Sequence, residues 1–537
     1  RRVEQGAAII TQSGNIGLNL TMQQRSLPLA YLISVGNQAG VTLHEYIETL
    51  ITNERITAIG IHFEGLTDVA AFSRAALKAL AKGVPIVALK SGTSELGRQI
   101  AMSHTSSLVG ADQLVDALFS RCGVMRVHTL PQFVEALKFL SVIGSLPGNQ
   151  IASISCSGGE AGLVADAATS LGLSMPPLIE KQRHALHVAL GSKVALSNPL
   201  DYHTYIWGDE ETQTRCFSAM MLGTQEITLK LLDYPRADRC DDAAWIKTAR
   251  AFCRAVKERG ARGAVVASLP ENLPHTAREM LLEQGVAPMQ GIEESLIAIR
   301  GAAWIYERQK VVGEIRPLTP TLQNKGQVRT LNEAESKRII RDYGIPTPKF
   351  IICTADEAIT SAQTIGFPVA IKLLSNSIIH KSDVGGVFLN VQNPQEVQQA
   401  VEQLRHLSEN FLVEVMTPSP VAEMIMGITR DAQFGLTLMI GVGGVLVELL
   451  QDRAILLLPT TPGEVEEALS SLRMAPLLDG YRGKLAADKK AIVAAVMNLA
   501  HFAEAHAADI VEVDINPLFA LPAGKGIVAV DATIRIL

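Results

Sequence analysis

At roughly 100 to 200 residues per domain, 537 residues call for three or four domains, and a 47% hydrophobic content can fill several cores. A net charge of −6 and a pI near 6.1 exclude a basic face for nucleic acid or anionic lipid, so small acids have to be held by local groups. Cys122, Cys156, Cys216, Cys240, Cys253 and Cys353 have neither metal-ligand spacing nor disulfide density, which fits a reducing cytoplasm; the longest uncharged apolar run, from Ala432 to Val447, falls short of the ~18 to 20 residues of a membrane span and reads as a buried strand and loop.

The chain opens on "RRVEQGAAIITQSG", without an initiator methionine and already entering a strand, and is expected to be part of a longer protein. The apolar runs "AAIIT", "LAYLIS", "ITAIGIHF" and "VPIVALK" alternate with amphipathic stretches, the pattern of a parallel sheet covered by helices. The first run ends in the small-residue turn Thr11-Gln12-Ser13-Gly14. Further on, "QIAMSHTSSLVGADQLVDALF" sets His104 between small hydroxyl residues ahead of an amphipathic helix; alone it is as readily a polar cap as a chemical group.

After "IGSLPGNQ" the pattern restarts with "IASISCSGGEAGLVADAATSLGL" and continues through "EITLKLLDY" and "GAVVASLP" to about Tyr306, giving a second doubly wound domain. Its turn, Ser155-Cys156-Ser157-Gly158-Gly159, repeats the first. Such turns present backbone N–H groups at the positive end of a helix, which suits phosphate or carboxylate. Singly, each reads as glycine easing a tight turn; as a tandem pair they favour a shared anion. The segment "NPLDYHTYIWGD" gathers Tyr202, His203, Tyr205 and Trp207 in a chain with only 5% aromatics, either as packing or as the wall of a pocket for a bulky acid.

The proline-bearing "VVGEIRPLTPTLQNKGQ" has no period and reads as a linker before a third unit that starts at "LNEAESKRIIRDYGIPTPKF". In that unit "GFPVAIKLLSNSIIHKSDVGGVFLNV" sets Lys372 on a strand, then a turn with His380, Lys381, Ser382 and Asp383, then Gly385 and Gly386 leading into another strand. A lysine before a Gly-rich hairpin pairs with nucleotide phosphates or simply snorkels from a sheet edge. Near the end, Asp514 and Asn516 alternate on one strand with Asp531 on the next, an oxygen set suited to Mg²⁺ unless these are ordinary surface groups around an Asn-Pro turn.

Taken together, "TQSG", "HFEG", "SHTSSLVG", "SNPLD", "HKSDVGGV" and "VDINPL", in this order, resemble the NDP-forming (ADP-forming) acyl-CoA synthetases, relatives of succinyl-CoA synthetase, over essentially the whole chain. The resemblance implies an α/β fold of two tandem flavodoxin-like doubly wound domains, residues 1–146 and 147–311, a linker over 312–330 and an ATP-grasp domain over 331–537. The family's usual N-terminal CoA-binding domain is expected to be missing from this piece, as truncation or as half of a split system.

The resemblance further implies a cytoplasmic ligase in which His104 is phosphorylated and Glu64 orients it, with His380 as a second relay and the turns at Ser13-Gly14 and Ser157-Gly158-Gly159 neutralising the phosphoryl oxygens. Nucleotide contacts are expected from Lys372, Gly385, Gly386, Glu414 of "FLVEVM" and Glu423 of "AEMIMG", Mg²⁺ at Asn516 and Asp531, and a substrate pocket around Asn198, Asp201, Tyr205 and Trp207. ATP and CoA are the expected co-substrates of a carboxylic acid. The acid is expected to be bulky or aromatic, such as a hydroxycinnamate, with acetate or another short acid as the alternative.

An AMP-forming adenylating enzyme needs a Ser/Thr/Gly-rich loop leading into Gly-x-Pro-Lys, and "LKSGTSELGRQ" lacks the second half. A non-catalytic CoA or nucleotide sensor is the remaining class, against which stand the intact His104, Glu64, Asn516 and Asp531. No nucleic acid or membrane partner is expected, and a homo-oligomer is left open.

Overall fold

The structure is a computed structural model that describes residues 3–94, 96, 112–319, 326–376, 381, 384–444 and 447–537. The chain divides into two compact units, one of Arg1–Asp112 with Leu118–Gly313, the other of Gln113–Ala117 with Glu314–Leu537.

The first unit holds two parallel sheets. Strands β1 (Gly6–Thr11), β2 (Leu29–Ser34), β3 (Ile56–Phe63), β4 (Ile86–Lys90) and β5 (Val124–Val127) lie in the order β2-β1-β3-β4-β5. Strands β6 (Ile151–Ser155), β7 (Leu200–Asp201), β8 (Ile227–Leu231), β9 (Gly263–Ala267) and β10 (Ala287–Gln290) lie in the order β10-β9-β8-β6-β7. Every pairing in both sheets is parallel. Helices cover both faces of such sheets, so β1, β4, β6, β8 and β9 are buried along their whole length, and this is why they read as unbroken apolar runs. In each sheet the chain reverses direction beside the first strand, so β1 and β6 deliver their C-terminal turns to the crevice where α/β proteins bind ligands.

One core joins the two sheets. Phe133, Leu137 and Leu140 of the helix Leu130–Val142 pack with Leu296, Ile299 and Ala303 of the helix Ile292–Val311. Inside it Glu135, fully buried, accepts hydrogen bonds from Lys138 Nζ (3.0 Å), Arg25 Nη1 (3.0 Å) and the backbone N–H of Gln290 (3.0 Å). Removing one partner of so buried a group leaves the others desolvated and unpaired, which costs about 3–5 kcal/mol.

The second unit has two antiparallel sheets. Strands β11 (Arg329–Thr330), β12 (Phe350–Thr354), β13 (Val369–Leu373), β14 (Val387–Val391) and β15 (Asn410–Val415) come first, of which the last four pair as β12-β15-β13-β14. Strands β16 (Ala422–Asp431), β17 (Gly435–Val442), β18 (Arg453–Leu457), β19 (Ile510–Ala520), β20 (Ile527–Ala529) and β21 (Thr533–Ile536) join β11 in a seven-stranded sheet, β11-β21-β19-β16-β17-β18 with β20 on β19. The run from Ala432 is the tight turn into β17, with Gln433 and Phe434 N–H on the Asp431 carboxylate. All six cysteines are free thiols. Among the described residues no helix is long and apolar enough to cross a membrane.

Candidate active site

The two turns of the first unit are built alike. Thr11 Oγ1 donates to Ser13 O (3.1 Å), and Ser155 Oγ to Ser157 O (2.8 Å), so each strand ends in a hydroxyl that closes the turn. A helix then starts at once, Gly14–Thr21 in one case and Gly158–Ser170 in the other, with the first intrahelical bonds Gly17 N to Ser13 O and Ala161 N to Ser157 O. Ser13 also caps its helix through Ile16 N–H (3.3 Å), whereas Ser157 makes no side-chain cap bond. These helix starts direct partial positive charge at whatever lies ahead of them.

Glu64 follows β3 directly and stands beside the first turn. Gln12 Oε1 holds the backbone N–H of Glu64 and that of Gly65 (3.3 Å), and Gln12 Nε2 returns a bond to Gly65 O (3.3 Å). The Glu64 carboxylate is thereby anchored through its backbone, and its buried Oε2 has no hydrogen-bond partner among the described residues. A buried carboxylate oxygen without a partner is costly, so a donor is expected to meet it. His62, one residue before Phe63 on the same strand, lies between Thr11 Oγ1 (3.0 Å) and Ser91 Oγ (2.9 Å); burial lowers its pKa to about 4, so the ring is neutral. His104 and His380 lie outside the described residues.

The second turn carries more charge. Asp201, at the end of β7, accepts from His203 N–H (2.8 Å), and its other oxygen lies so near Gly158 that a Cβ there would meet it at 3.3 Å. Asn198 is engaged by the backbone, donating to Ile151 O and Pro176 O (3.0 Å each) and accepting from Ser153 N–H (3.2 Å). The aromatic residues of this segment go separate ways. Tyr202 is in the core against Phe217, Tyr205 is 63% exposed, and Trp207 packs edge-on against Trp245 at 5.1 Å.

In the second unit, three lysines and three carboxylates meet in one buried cluster. Lys372 on β13 pairs with Glu333 (2.8 Å) and Glu414 (2.6 Å), Lys337 with the same two acids (2.6 and 2.5 Å), and Lys381 with Glu333 and with Asp531 (3.7 Å). Burial pushes the Glu333 carboxyl up, but Lys372, Lys337 and Lys381 override it and hold it well below the usual range. For Lys372 burial is more than offset by Glu333 and Glu414, which raise its pKa, while burial and Glu333 push Asp531 up. Lys372, Glu414 and Asp531 thus lie together with Lys381 of the turn after Lys372, and Glu333 and Lys337 join them unannounced. Glu333 and Lys337 stand four apart on a helix capped by Asn332, a spacing that looks like any surface pair.

Gly385 and Gly386, which lead into β14, stand next to Lys381 of this cluster. Gly385 has φ +67°, and a Cβ on Gly386 would meet Leu373 Cδ2 at 2.1 Å, while Gly386 N–H bonds Lys381 O (2.7 Å). Asn516 Oδ1 accepts from Gly444 N–H (2.9 Å), and a Cβ on Gly444 would collide with Glu423 Oε2, so Asn516, Gly444 and Glu423 are neighbours. Glu423 also lines a cavity of about 480 Å³ with Gly443, Asp452 and Met474. Continuing the β19–β20 register from Leu518–Ala529 sets Asn516 opposite Asp531. Asp531 lies in the link between β20 and β21 rather than on a strand, and with Asn516 of β19 it offers hard oxygen donors that fit Mg²⁺. Among the described residues no three His, Cys, Asp or Glu side chains form a metal site by themselves, so phosphate oxygens would have to complete the shell.

Residues 322–536 match the ATP-grasp domain family, and residues 4–140 the succinyl-CoA ligase like flavodoxin domain. The chain is similar to trans-feruloyl-CoA synthase of an unknown prokaryotic organism, at 29% identity over 98% of this chain and 76% of that one. Over 211 residues it is 35% identical to the beta subunit of acetate–CoA ligase (ADP-forming) II of Pyrococcus furiosus, covering 38% of this chain and 89% of the subunit. A solved structure of Ca. Korarchaeum cryptofilum dinucleotide forming acetyl-coenzyme A synthetase 1, in complex with phosphate and ADP, shares the fold over 58% of this chain and 67% of that chain, with a TM-score of 0.52 at 19% identity.

Proposed function

Starting from the NDP-forming acyl-CoA synthetase family, to which the chain belongs, we propose that it joins a carboxylic acid to CoA at the expense of ATP through a phosphohistidine at His104. The observation that carries this reading is Glu64, whose buried, unpartnered Oε2 stands ready beside the Ser13-Gly14 turn to accept a hydrogen bond from an imidazole N–H. A carboxylate on one ring nitrogen fixes the tautomer that leaves the other free to attack. The γ-phosphoryl group leaves ADP and is handed on to His104. The phosphoryl passes to a carboxylate oxygen of the acid, which frees the imidazole and gives an acyl phosphate. The CoA sulfur attacks the acyl carbon, the bond to phosphate breaks, and the thiol proton leaves with orthophosphate.

On the nucleotide side, Lys372 and Lys381 are the cations that phosphates would meet, and the Gly385-Gly386 hairpin is the backbone that covers them. Asn516 and Asp531 would hold Mg²⁺, which neutralises phosphate charge when bound. His380 is the second relay between this site and His104.

The acid is a bulky or aromatic one such as a hydroxycinnamate, a reading supported by the likeness to a feruloyl-CoA synthase. Tyr205 at the surface and Trp207 packed on Trp245 favour the second reading, a short acid such as acetate that needs no aromatic wall. Assay with ATP, CoA and either ferulate or acetate tests both levels: ADP and phosphate are the expected products, with kcat/KM higher for ferulate. AMP and pyrophosphate would refute the reaction class, and a preference for acetate would refute the aromatic acid alone.

A further inference from the structure

Lys230 on β8 is fully buried, yet among the described residues no carboxylate lies within ion-pair distance of its ammonium. Its Nζ donates to Leu231 O (2.7 Å), one residue further along the strand, and lies over the rings of Tyr202 (4.9 Å to the centroid) and Phe217 (5.8 Å). The side chain therefore points toward the C-terminal edge of the sheet. There β6, paired with β8 through Ile154 and Lys230, runs into the Ser157-Gly158-Gly159 turn.

The ionisable groups around Lys230 are Cys156 and Glu160 from that turn and its helix, Asp201 from β7, and Cys216 from the helix Glu210–Met220. Two observations point to something absent from this circle. Tyr202 is fully buried and its hydroxyl has no partner among the described residues, and neither has the buried Oε2 of Glu160. Burying a cation without a matched anion costs several kcal/mol, so an ordinary packing position would favour a leucine or methionine.

The turn also has a charge problem. Its helix start supplies about half a positive charge, while Asp201 lies against Gly158 and Glu160 sits in the first helical turn. Two carboxylates against half a charge would repel a phosphoryl or carboxylate group. We propose that Lys230 is a positioning residue, the fixed countercharge beneath the Ser157-Gly158-Gly159 turn that lets an anionic phosphoryl or acyl carboxylate group bind there beside Asp201 and Glu160. This rests on the acyl-CoA synthetase reading, and it places in the second sheet a cation that the small-residue turn alone does not announce.

Burial lowers the Lys230 pKa to about 8, while Cys156, Cys216 and Tyr202 are pushed up by burial and stay neutral below that point. Burial, with Asp233 and Asp201, raises the Glu160 carboxyl from its ordinary value, and Lys230 opposes them. Lys230 is then the member of the circle whose charge changes between pH 7 and 9.5.

The test runs the reaction from acyl-CoA and ADP, where orthophosphate must enter at the turns. Lys230→Met keeps the length and apolar stem and should raise the KM for phosphate by about tenfold or more with the KM for ADP unchanged; Lys230→Arg should recover most of the loss. Sulfate keeps its charge over this pH range, so as a competitor of phosphate on the unaltered chain it should bind about tenfold more weakly at pH 9.5 than at pH 7, and this needs no variant to fold. An unchanged KM for phosphate in Lys230→Met, or equal sulfate affinity at the two pH values, would overturn the assignment. Turnover of acyl-CoA without any need for phosphate would instead refute the phosphohistidine reading on which it rests.

Discussion

A single proton explains the contacts of His62. Thr11 Oγ1 donates to Ser13 O and also accepts from Ser13 N–H, so His62 meets it through Nδ1–H and leaves Nε2 to accept from Ser91 Oγ. Burial, with no carboxylate beside the ring among the described residues, lowers its pKa to about 4 and keeps the second proton off. The sign of the linkage follows. Above pH 6.5 the ring is neutral in both states and contributes nothing; below it the unfolded chain binds a proton that the folded chain refuses, so stability falls as pH falls toward 4. Between pH 7 and 5 this penalty reaches about 2 kcal/mol. His62→Gln, which cannot titrate, should lose about 2 kcal/mol less than the parent over that interval in chemical denaturation, and parallel losses would show that His62 is not the group responsible. Nothing in "IGIHFEG" distinguishes this buried, neutral histidine from a chemical one, because its character comes from Thr11 and Ser91, which are remote in sequence. Lys230 and Glu333 were hidden for the same reason: a lysine in "EITLKLL" or a glutamate after a helix cap looks exposed until the sheet or the lysines close around it.

At the scale of elements, β1, β3, β4, β6, β8 and β9 show as apolar runs because they are buried, and β2 shows in "LAYLIS" although it is only half-buried, while β5, β7 and β10, of four, two and four residues, are too short to carry a pattern. The two turns were legible because small residues between a strand and a helix have few other uses, and the hairpin at Gly385-Gly386 for a related reason. Leu373 and the Lys381 carbonyl occupy the space a Cβ on Gly386 would need, at 2.1 and 3.0 Å. Gly386→Ala should therefore displace the hairpin from the lysine cluster and weaken ADP binding by about tenfold or more in calorimetry, with the unfolding of the first unit unchanged. Wild-type ADP affinity in that variant would mean that the hairpin does not cover the nucleotide. What the sequence did not reveal is the fate of the aromatic segment: Tyr202, Tyr205 and Trp207 lie within six positions but point to core, solvent and Trp245.

At the scale of the whole molecule, each unit brings one kind of chemistry. The first offers two helix starts with Glu64 beside one and Lys230 beneath the other; the second offers a balanced cluster of lysines and carboxylates, of which Asp531, with Asn516, is the oxygen pair proposed for Mg²⁺. Phosphoryl transfer that uses both needs a carrier, and a histidine that accepts from ATP and donates to a carboxylate is chemically suited to it. The measurement that tests this most directly is the labelling of the chain with γ-labelled ATP and Mg²⁺, followed by acid and alkali treatment and peptide mapping. A label that acid removes and alkali does not, mapping to His104 and lost from that position in His104→Ala, is the predicted result. An acid-stable label, or undiminished labelling of His104→Ala, would contradict the account.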